Sequence, residues 1–135
     1  MNTIRETFIK SERLCSTKII SRLFESGNIF YSSLFKVVWE RSPVPLPFPV
    51  QVLFSVSKKG FRLAVTRNLI KRRMREAYRK NKNILYEQLI KENIQVVLIV
   101  IFKGNLVPDY MIVEKSIREI INKLIILINA NDRKC

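Results

Sequence analysis

The 135-residue chain has no histidine, two cysteines and 11 acidic residues. Histidine is the usual general base and a frequent metal ligand, so its absence removes the commonest equipment of a protein nuclease. The acidic residues are not clustered as a two-metal site would require. Cys15 and Cys135 have no metal-binding spacing, and we expect free thiols in a cytoplasmic protein rather than a disulfide. The sequence therefore predicts no catalytic residue, and it locates no metal site.

Long apolar runs are also missing. The longest near the C-terminus, Leu124–Ile128, is far shorter than a bilayer requires and follows Asn122 and Lys123. The first residues, MNTIRETFIKSER, lack the apolar core of a signal peptide. Because 47% of the residues are apolar, the chain is not globally disordered. We expect one cytoplasmic domain over residues 1–135.

Positive charge is in large excess, with a net charge of +14. The segment Lys58–Lys82 holds eleven of the 25 basic residues, and Glu76 is its only acidic residue. From Ala64 onward it has good helix formers and neither Gly nor Pro, which predicts a helix. An excess of positive charge of this size is typical of proteins that bind nucleic acid or an anionic membrane.

A helical wheel divides this predicted helix into two arcs at about 100° per residue. One arc is apolar, and Arg73 and Lys80 lie outside the polar one. Like charges one turn apart repel, so the polar arc predicts an external polyanion, with a merely solvated basic helix as the alternative. The apolar arc contains Ile70, Met74, Ala77 and Tyr78. The polar arc, here called the cation stripe, contains Arg67, Asn68, Lys71, Arg72, Arg75 and Arg79.

The same region carries a recognisable motif: Phe54-Ser-Val-Ser-Lys-Lys59, Ala64-Val-Thr-Arg-Asn68, Ile70-Lys-Arg72 and Arg75-Glu-Ala-Tyr78. It resembles the signature of the bacterial ribonuclease P protein subunit. The resemblance is strong over residues 54–79, and weaker over residues 13–27 and after residue 93. One position departs from the family, which commonly has Arg where this chain has Leu69.

The resemblance implies a division of labour in which a partner RNA, assisted by Mg²⁺, cleaves the 5′ leader from precursor tRNA. The protein would carry no cofactor of its own. By the resemblance, the cation stripe contacts the ribonuclease P RNA, with Lys58 and Lys59 on the approach. The expected leader-binding residues, on the first helix and one face of the sheet, are Phe24, Ile20, Lys36, Val38, Ser55 and Ser57.

The remaining patterns predict an α+β two-layer sandwich. A first helix is capped by Ser16 or Thr17 and ends at Gly27, and Asp109 caps a last helix. The predicted strands are Leu34–Glu40, Val50–Ser57 and Gln95–Phe102, with a proline-rich connector at 42–49 and a further helix at 84–91. The resemblance implies the order α-β-β-β-α-β-α and a left-handed crossover, whereas the general rule favours a right-handed one.

Other functions remain open at this stage. A general structured-RNA-binding or ribosome-associated protein would share the charge, and KGFRLAV partly resembles the RRM signature. However, Arg62 and Leu63 replace the small and aromatic residues that the signature needs. A basic amphipathic membrane binder would need bulky apolar residues exposed beside the cations. A protein-only nuclease lacks a nucleophile and base.

Overall fold

The computed structural model describes residues 8–133, so Cys135 lies outside the described residues. Within that range the chain forms four α-helices and a four-stranded sheet. The order α-β-β-β-α-α-β-α confirms the predicted α+β class, and the helix that the resemblance order lacks is the one predicted at 84–91. The helices are α1 (Thr17–Ser26), α2 (Ala64–Asn81), α3 (Asn83–Glu92) and α4 (Tyr110–Arg133). The strands are β1 (Asn28–Tyr31), β2 (Phe35–Arg41), β3 (Val50–Val56) and β4 (Val96–Phe102).

The sheet is mixed and has the strand order β1-β2-β4-β3. β4 pairs antiparallel with β2 and parallel with β3. Six of its seven side chains are buried, because a central strand is covered on both faces. The near-continuous apolar run of β4 correctly predicted its central position. The left-handed crossover between β3 and β4 stays a prediction.

Helices α2, α3 and α4 cover one face of the sheet, here called the closed face. All four residues of the apolar arc of α2 are buried, as the wheel predicts. The strand residues on this side are also buried, including Val37, Trp39, Val52 and Phe54. From α4 this core receives Val113, Ile117, Ile120, Ile121, Leu124 and Ile128.

Among the described helices, α1 alone packs on the other face, here called the open face, together with Leu14 before it and Leu46 of the proline-rich connector. The Ser16 side chain accepts a hydrogen bond from the Ile19 N–H at 3.3 Å, which caps the helix as predicted. Leu23 packs from α1 onto Val38 and neighbouring apolar residues of β4. Gly27 ends the helix. A Cβ at this position would lie 2.6 Å from both the Leu23 carbonyl oxygen and Val38 Cγ1. A side chain at residue 27 would therefore push α1 off the sheet.

The edge strand β1 is the element that the residue patterns did not locate. It is only four residues long and is paired on one side, through Phe30↔Val37 and its neighbours. Phe30 is buried in the closed-face core, while Ile29 and Tyr31 point the opposite way and are exposed. A segment with one buried residue gives too few positions for strand alternation to be recognised.

Lys82, the last cation of the basic segment, is buried rather than exposed to a ligand. It is 1% exposed and forms an ion pair with the equally buried Glu12. The Tyr86 hydroxyl donates to Glu12 Oε1 at 2.7 Å, and Tyr78 donates to Tyr86 at 3.1 Å. Burial raises the pKa of both phenols, so each stays a neutral donor. This network fastens the segment before α1 to the junction of α2 and α3.

Candidate nucleic-acid interface

The cation stripe of α2 points away from the core. Asn68 and Arg72 are exposed, and the other four members are partly exposed. This geometry follows from the helical period, because burial of the apolar arc leaves the polar arc outside. The wheel therefore correctly predicted which side of α2 faces solvent.

Three members of the stripe are unpaired cations. Among the described residues, Lys71, Arg72 and Arg75 make no hydrogen bond or ion pair within the chain. Burial lowers the pKa of Arg75 from its ordinary value, and the nearby positive charge of Arg13 lowers it further. Arg13 thus adds a charge beside the stripe from the segment before α1. Sequence reasoning did not predict this neighbour, because the two residues are brought together only by the fold.

Other arginines of α2 have partners in the protein. Arg67 Nη1 donates to the carbonyl oxygens of Phe61 and Arg62 at 2.7 and 2.8 Å, which holds the loop before the helix. Arg79 makes two hydrogen bonds to Glu76, at 2.6 and 3.0 Å. Arg73, which lies off the stripe, donates to the Pro108 carbonyl oxygen. Arg67 and Arg79 therefore have structural contacts as well as their predicted roles.

The loop after β3 extends the basic surface. Ser57, Lys58 and Lys59 are exposed, and the Ser57 hydroxyl accepts a hydrogen bond from the Lys59 N–H at 3.2 Å. Leu69 lines a shallow depression with Tyr110 and three charged residues of α2. One of these charged residues is Arg72, a member of the stripe, so Leu69 borders the stripe at Arg72 rather than lying on the opposite side of the helix.

Helix α1 crosses the strands of the open face. The segment before it pairs with β3, where the Leu14 N–H donates to the Val52 carbonyl oxygen, and its end meets Val38 of β2. Because Leu23 faces the sheet, the two flanks of α1 face opposite ends of the strands. Arg22 pairs with Glu40 of β2 at 2.9 Å. The opposite flank of α1, which carries Phe24 and Ile20, therefore faces the other end of β2.

At that end the strand register forms a row of side chains. Lys36 of β2 lies opposite Ile101 of β4, which lies opposite Ser55 of β3. All three are partly exposed. With Phe24 and Ile20 of α1 they form a surface here called the groove. The fold thus brings together four of the predicted leader-binding residues, and Ser57 follows at the end of β3.

Val38 is the exception among the predicted leader-binding residues. It lies on the expected face, but it is 1% exposed and packs against Leu23 beneath α1. Its surface is not accessible to a nucleotide in this structure. Strand alternation identifies the face of a side chain but not whether a helix covers it. We therefore leave Val38 out of the groove.

The described part of the chain contains neither a metal-binding cluster nor a membrane-spanning helix. No cluster of three or more His, Cys, Asp or Glu residues within it could hold a metal ion. Within it, too, no helix has the length and apolarity needed to cross a bilayer.

Comparison with known proteins identifies the family. A family model described as "Ribonuclease P" matches residues 8–125, which is most of the chain. The chain belongs to the ribonuclease P protein family. A ribonuclease P protein component of Porphyromonas gingivalis is 34% identical over 110 residues, covering 82% of this chain and 80% of that protein. One from Chlorobium phaeobacteroides is 44% identical over 85 residues, covering 57% of this chain and 55% of that protein.

Solved structures of the family share the fold. The ribonuclease P protein of Staphylococcus aureus aligns with a TM-score of 0.67 at 23% identity, covering 85% of this chain and 95% of that one. The protein from Thermotoga maritima aligns with a TM-score of 0.66 at 20% identity, covering 83% and 96%. Family membership makes this chain a component of an endoribonuclease that processes tRNA, and it implies association with ribonuclease P RNA.

Proposed function

We propose that the cation stripe of α2 binds ribonuclease P RNA and that the groove holds the 5′ leader of precursor tRNA. The observation that carries the proposal is the set of unpaired cations Lys71, Arg72 and Arg75 on one exposed arc. These three cations lie within five residues, where they repel each other and weaken the helix. A phosphate backbone would relieve that repulsion and release counterions as it binds.

Arginine predominates in the stripe, which supports a structured phosphate backbone as the ligand. Its planar guanidinium can donate two hydrogen bonds to one phosphate, whereas lysine acts as a point charge. Asn68 adds donor and acceptor groups suited to sugar or base edges. Lys58 and Lys59 would meet the RNA at the approach to the stripe.

The composition of the groove supports a single-stranded ligand. Its floor combines a lysine with the small Ser55 side chain, and its wall carries the exposed ring of Phe24. Single-stranded nucleic acid is held by cations along its backbone and by aromatic rings on which the bases stack. Ile20 is half-buried and would contribute apolar contact rather than stacking.

In this proposal the chemistry takes place on the RNA in the cytoplasm. Mg²⁺ bound with the partner RNA assists hydrolysis, and the protein contributes binding and orientation. The purified protein should not cleave precursor tRNA, whereas addition of a bacterial ribonuclease P RNA should give cleavage at the mature 5′ end. Cleavage by the protein after removal of all RNA would overturn the proposal.

Single substitutions on α2 test the stripe. Arg75→Ala and Lys71→Ala should weaken binding to ribonuclease P RNA, and each should reduce the slope of log affinity against log salt by about 0.7 to 0.9. Arg73→Ala removes the same charge from the same helix but off the stripe, and should have less effect. Lys91→Ala, on an exposed lysine of α3, controls for net charge. Equal losses in all four variants would indicate a generic electrostatic binder instead.

A further inference from the structure

The exposure of aromatic side chains in this chain is uneven. The sequence has eight Phe, four Tyr and one Trp, all at positions that the structure describes. Eleven of these side chains are buried or partly buried. The two exposed ones are Phe24, at 57%, and Tyr31, at 60%. Neither ring makes a ring contact or a side-chain hydrogen bond with any described residue.

These two rings belong to the same end of the open face. Tyr31 pairs with Lys36 across β1 and β2, so it continues the row of the groove by one strand. Strand alternation confirms the face, since Phe30 is buried on the opposite side. Phe24 lies on the flank of α1 that faces this row, close to the helix end at Gly27. Lys36 therefore lies beside Tyr31 of β1 in the row, on the side that Phe24 of α1 faces.

The backbone of β1 is held firmly at this point. The Ser32 N–H donates to the Phe35 carbonyl oxygen at 2.9 Å, which closes the turn after Tyr31. Lys123 of α4 donates to the Tyr31 carbonyl oxygen at 3.3 Å and also lies over the Phe30 ring. The Tyr31 ring is thus presented to solvent from an anchored strand, so a ligand would bind it at low entropic cost.

We propose that Tyr31 is a second stacking residue of the groove and that it binds an unpaired base of the leader beyond the one at Phe24. The inference rests on the proposed function of the groove and adds a subsite to it. Aromatic stacking accepts any base, because every base has a π face. Lys36 would neutralise the phosphate between the two stacked bases. The groove then extends over β1, the edge strand, rather than ending at β2.

Leader length provides the test. Holoenzyme is assembled from the full chain and ribonuclease P RNA, and its affinity is measured for precursor tRNAs whose leaders grow by one nucleotide at a time. Tyr31→Leu keeps an apolar side chain on the strand but removes the π face. It should bind short-leader precursors and mature tRNA like the original chain, and long-leader precursors about tenfold more weakly. Tyr31→Phe should retain the full affinity.

Two controls separate this inference from the proposed function. Ile29→Ala truncates the other exposed apolar side chain of β1 and should leave the length profile unchanged. Phe24→Leu should weaken binding at shorter leaders than Tyr31→Leu does. If Phe24→Leu weakens binding and Tyr31→Leu does not, the second subsite is wrong and the groove stands. A loss with Tyr31→Leu that is equal for mature tRNA would show a role in folding only, and no loss with either variant would overturn the groove itself.

Discussion

The closed and open faces of the sheet differ in how completely they are covered. Three helices pack on the closed face, and its strand residues are buried from Phe30 on β1 to Phe54 on β3. One ten-residue helix lies on the open face, which leaves Tyr31, Lys36 and Ser55 accessible. The closed face therefore provides most of the stability, and the open face has room for a ligand.

This difference shows why similar residues have different roles in the two regions. Lys82 at the end of α2 lies in the closed-face side of the protein and is neutralised by Glu12. Lys71, in the cation stripe of α2, is partly exposed and has no partner among the described residues. Both are lysines of the same basic segment, so charge density alone does not distinguish a structural cation from a binding one.

The largest effect is expected at the buried ion pair. Glu12→Gln leaves Lys82 buried without a counter-charge, which should lower the free energy of unfolding by about 3–5 kcal/mol. Urea unfolding measures this change in the free energy of unfolding. The double variant Glu12→Leu with Lys82→Met removes both charges and should be more stable than either single substitution. A double variant as unstable as the sum of the two single variants would contradict this expectation, because additive losses would show that the two buried charges do not interact energetically.

Adjacent residues of β3 compare the two faces directly. Phe54 points into the closed face and Leu53 into the open one. Phe54→Ala should cost about 3–5 kcal/mol of unfolding free energy, because it leaves a cavity in a packed core. Leu53 is only partly buried, so Leu53→Ala should cost less than about 2 kcal/mol. Thermal unfolding of both variants tests this, and equal costs would contradict the difference between the faces.

The buried phenols predict a pH dependence. The pKa of Tyr86 is raised in the folded protein, whereas an unfolded tyrosine ionises near pH 10. Its contribution to stability is therefore complete below about pH 10 and is lost as the pH rises above it. The loss is at most about 1.4 kcal/mol per pH unit. Between pH 9 and 11, the free energy of unfolding measured with urea should decline less steeply for Tyr86→Phe than for the original chain. The same decline in both proteins would count against a neutral buried phenol.

The smallest effect concerns the open face. Lys36→Ala should leave stability almost unchanged, because the side chain is partly exposed and lies outside the apolar core. It should reduce the salt dependence of holoenzyme binding to precursor tRNA by less than one unit of slope. Lys91→Ala, on an exposed lysine of α3 on the closed-face side of the protein, serves as the charge control. The same change in both variants would remove Lys36 from the groove.

Much of the closed face could be predicted from the sequence. The burial of alternate residues in β3, the central place of β4 and the buried arc of α2 all follow from periodicity, because burial requires apolar side chains at regular spacing. The start of α1 at the Ser16 cap and its end at Gly27 were also predicted. β1 was not located, since a four-residue edge strand with one buried position has no distinctive period.

Several features of the interface depended on contacts between distant segments. Strand alternation placed Val38 on the open face, but only the packing of α1 shows that it is covered. Tyr31 joins the row of Lys36 through the pairing of β1 with β2, and Arg13 reaches Arg75 from another part of the chain. None of these neighbours lies at a helical or strand period from its partner, so no local pattern records them.

The sequence by itself determined the elements, their buried sides and the cation stripe, because these depend on residues three or four positions apart on a helix or two apart on a strand. The tertiary structure decided which cations remain available and which surfaces remain open. Lys82 is neutralised by Glu12, 70 residues away. Tyr31 is exposed because none of the described helices covers the β1 end of the open face. Both outcomes depend on contacts between residues far apart in the sequence. These contacts form only when the helices and strands pack together around the common core.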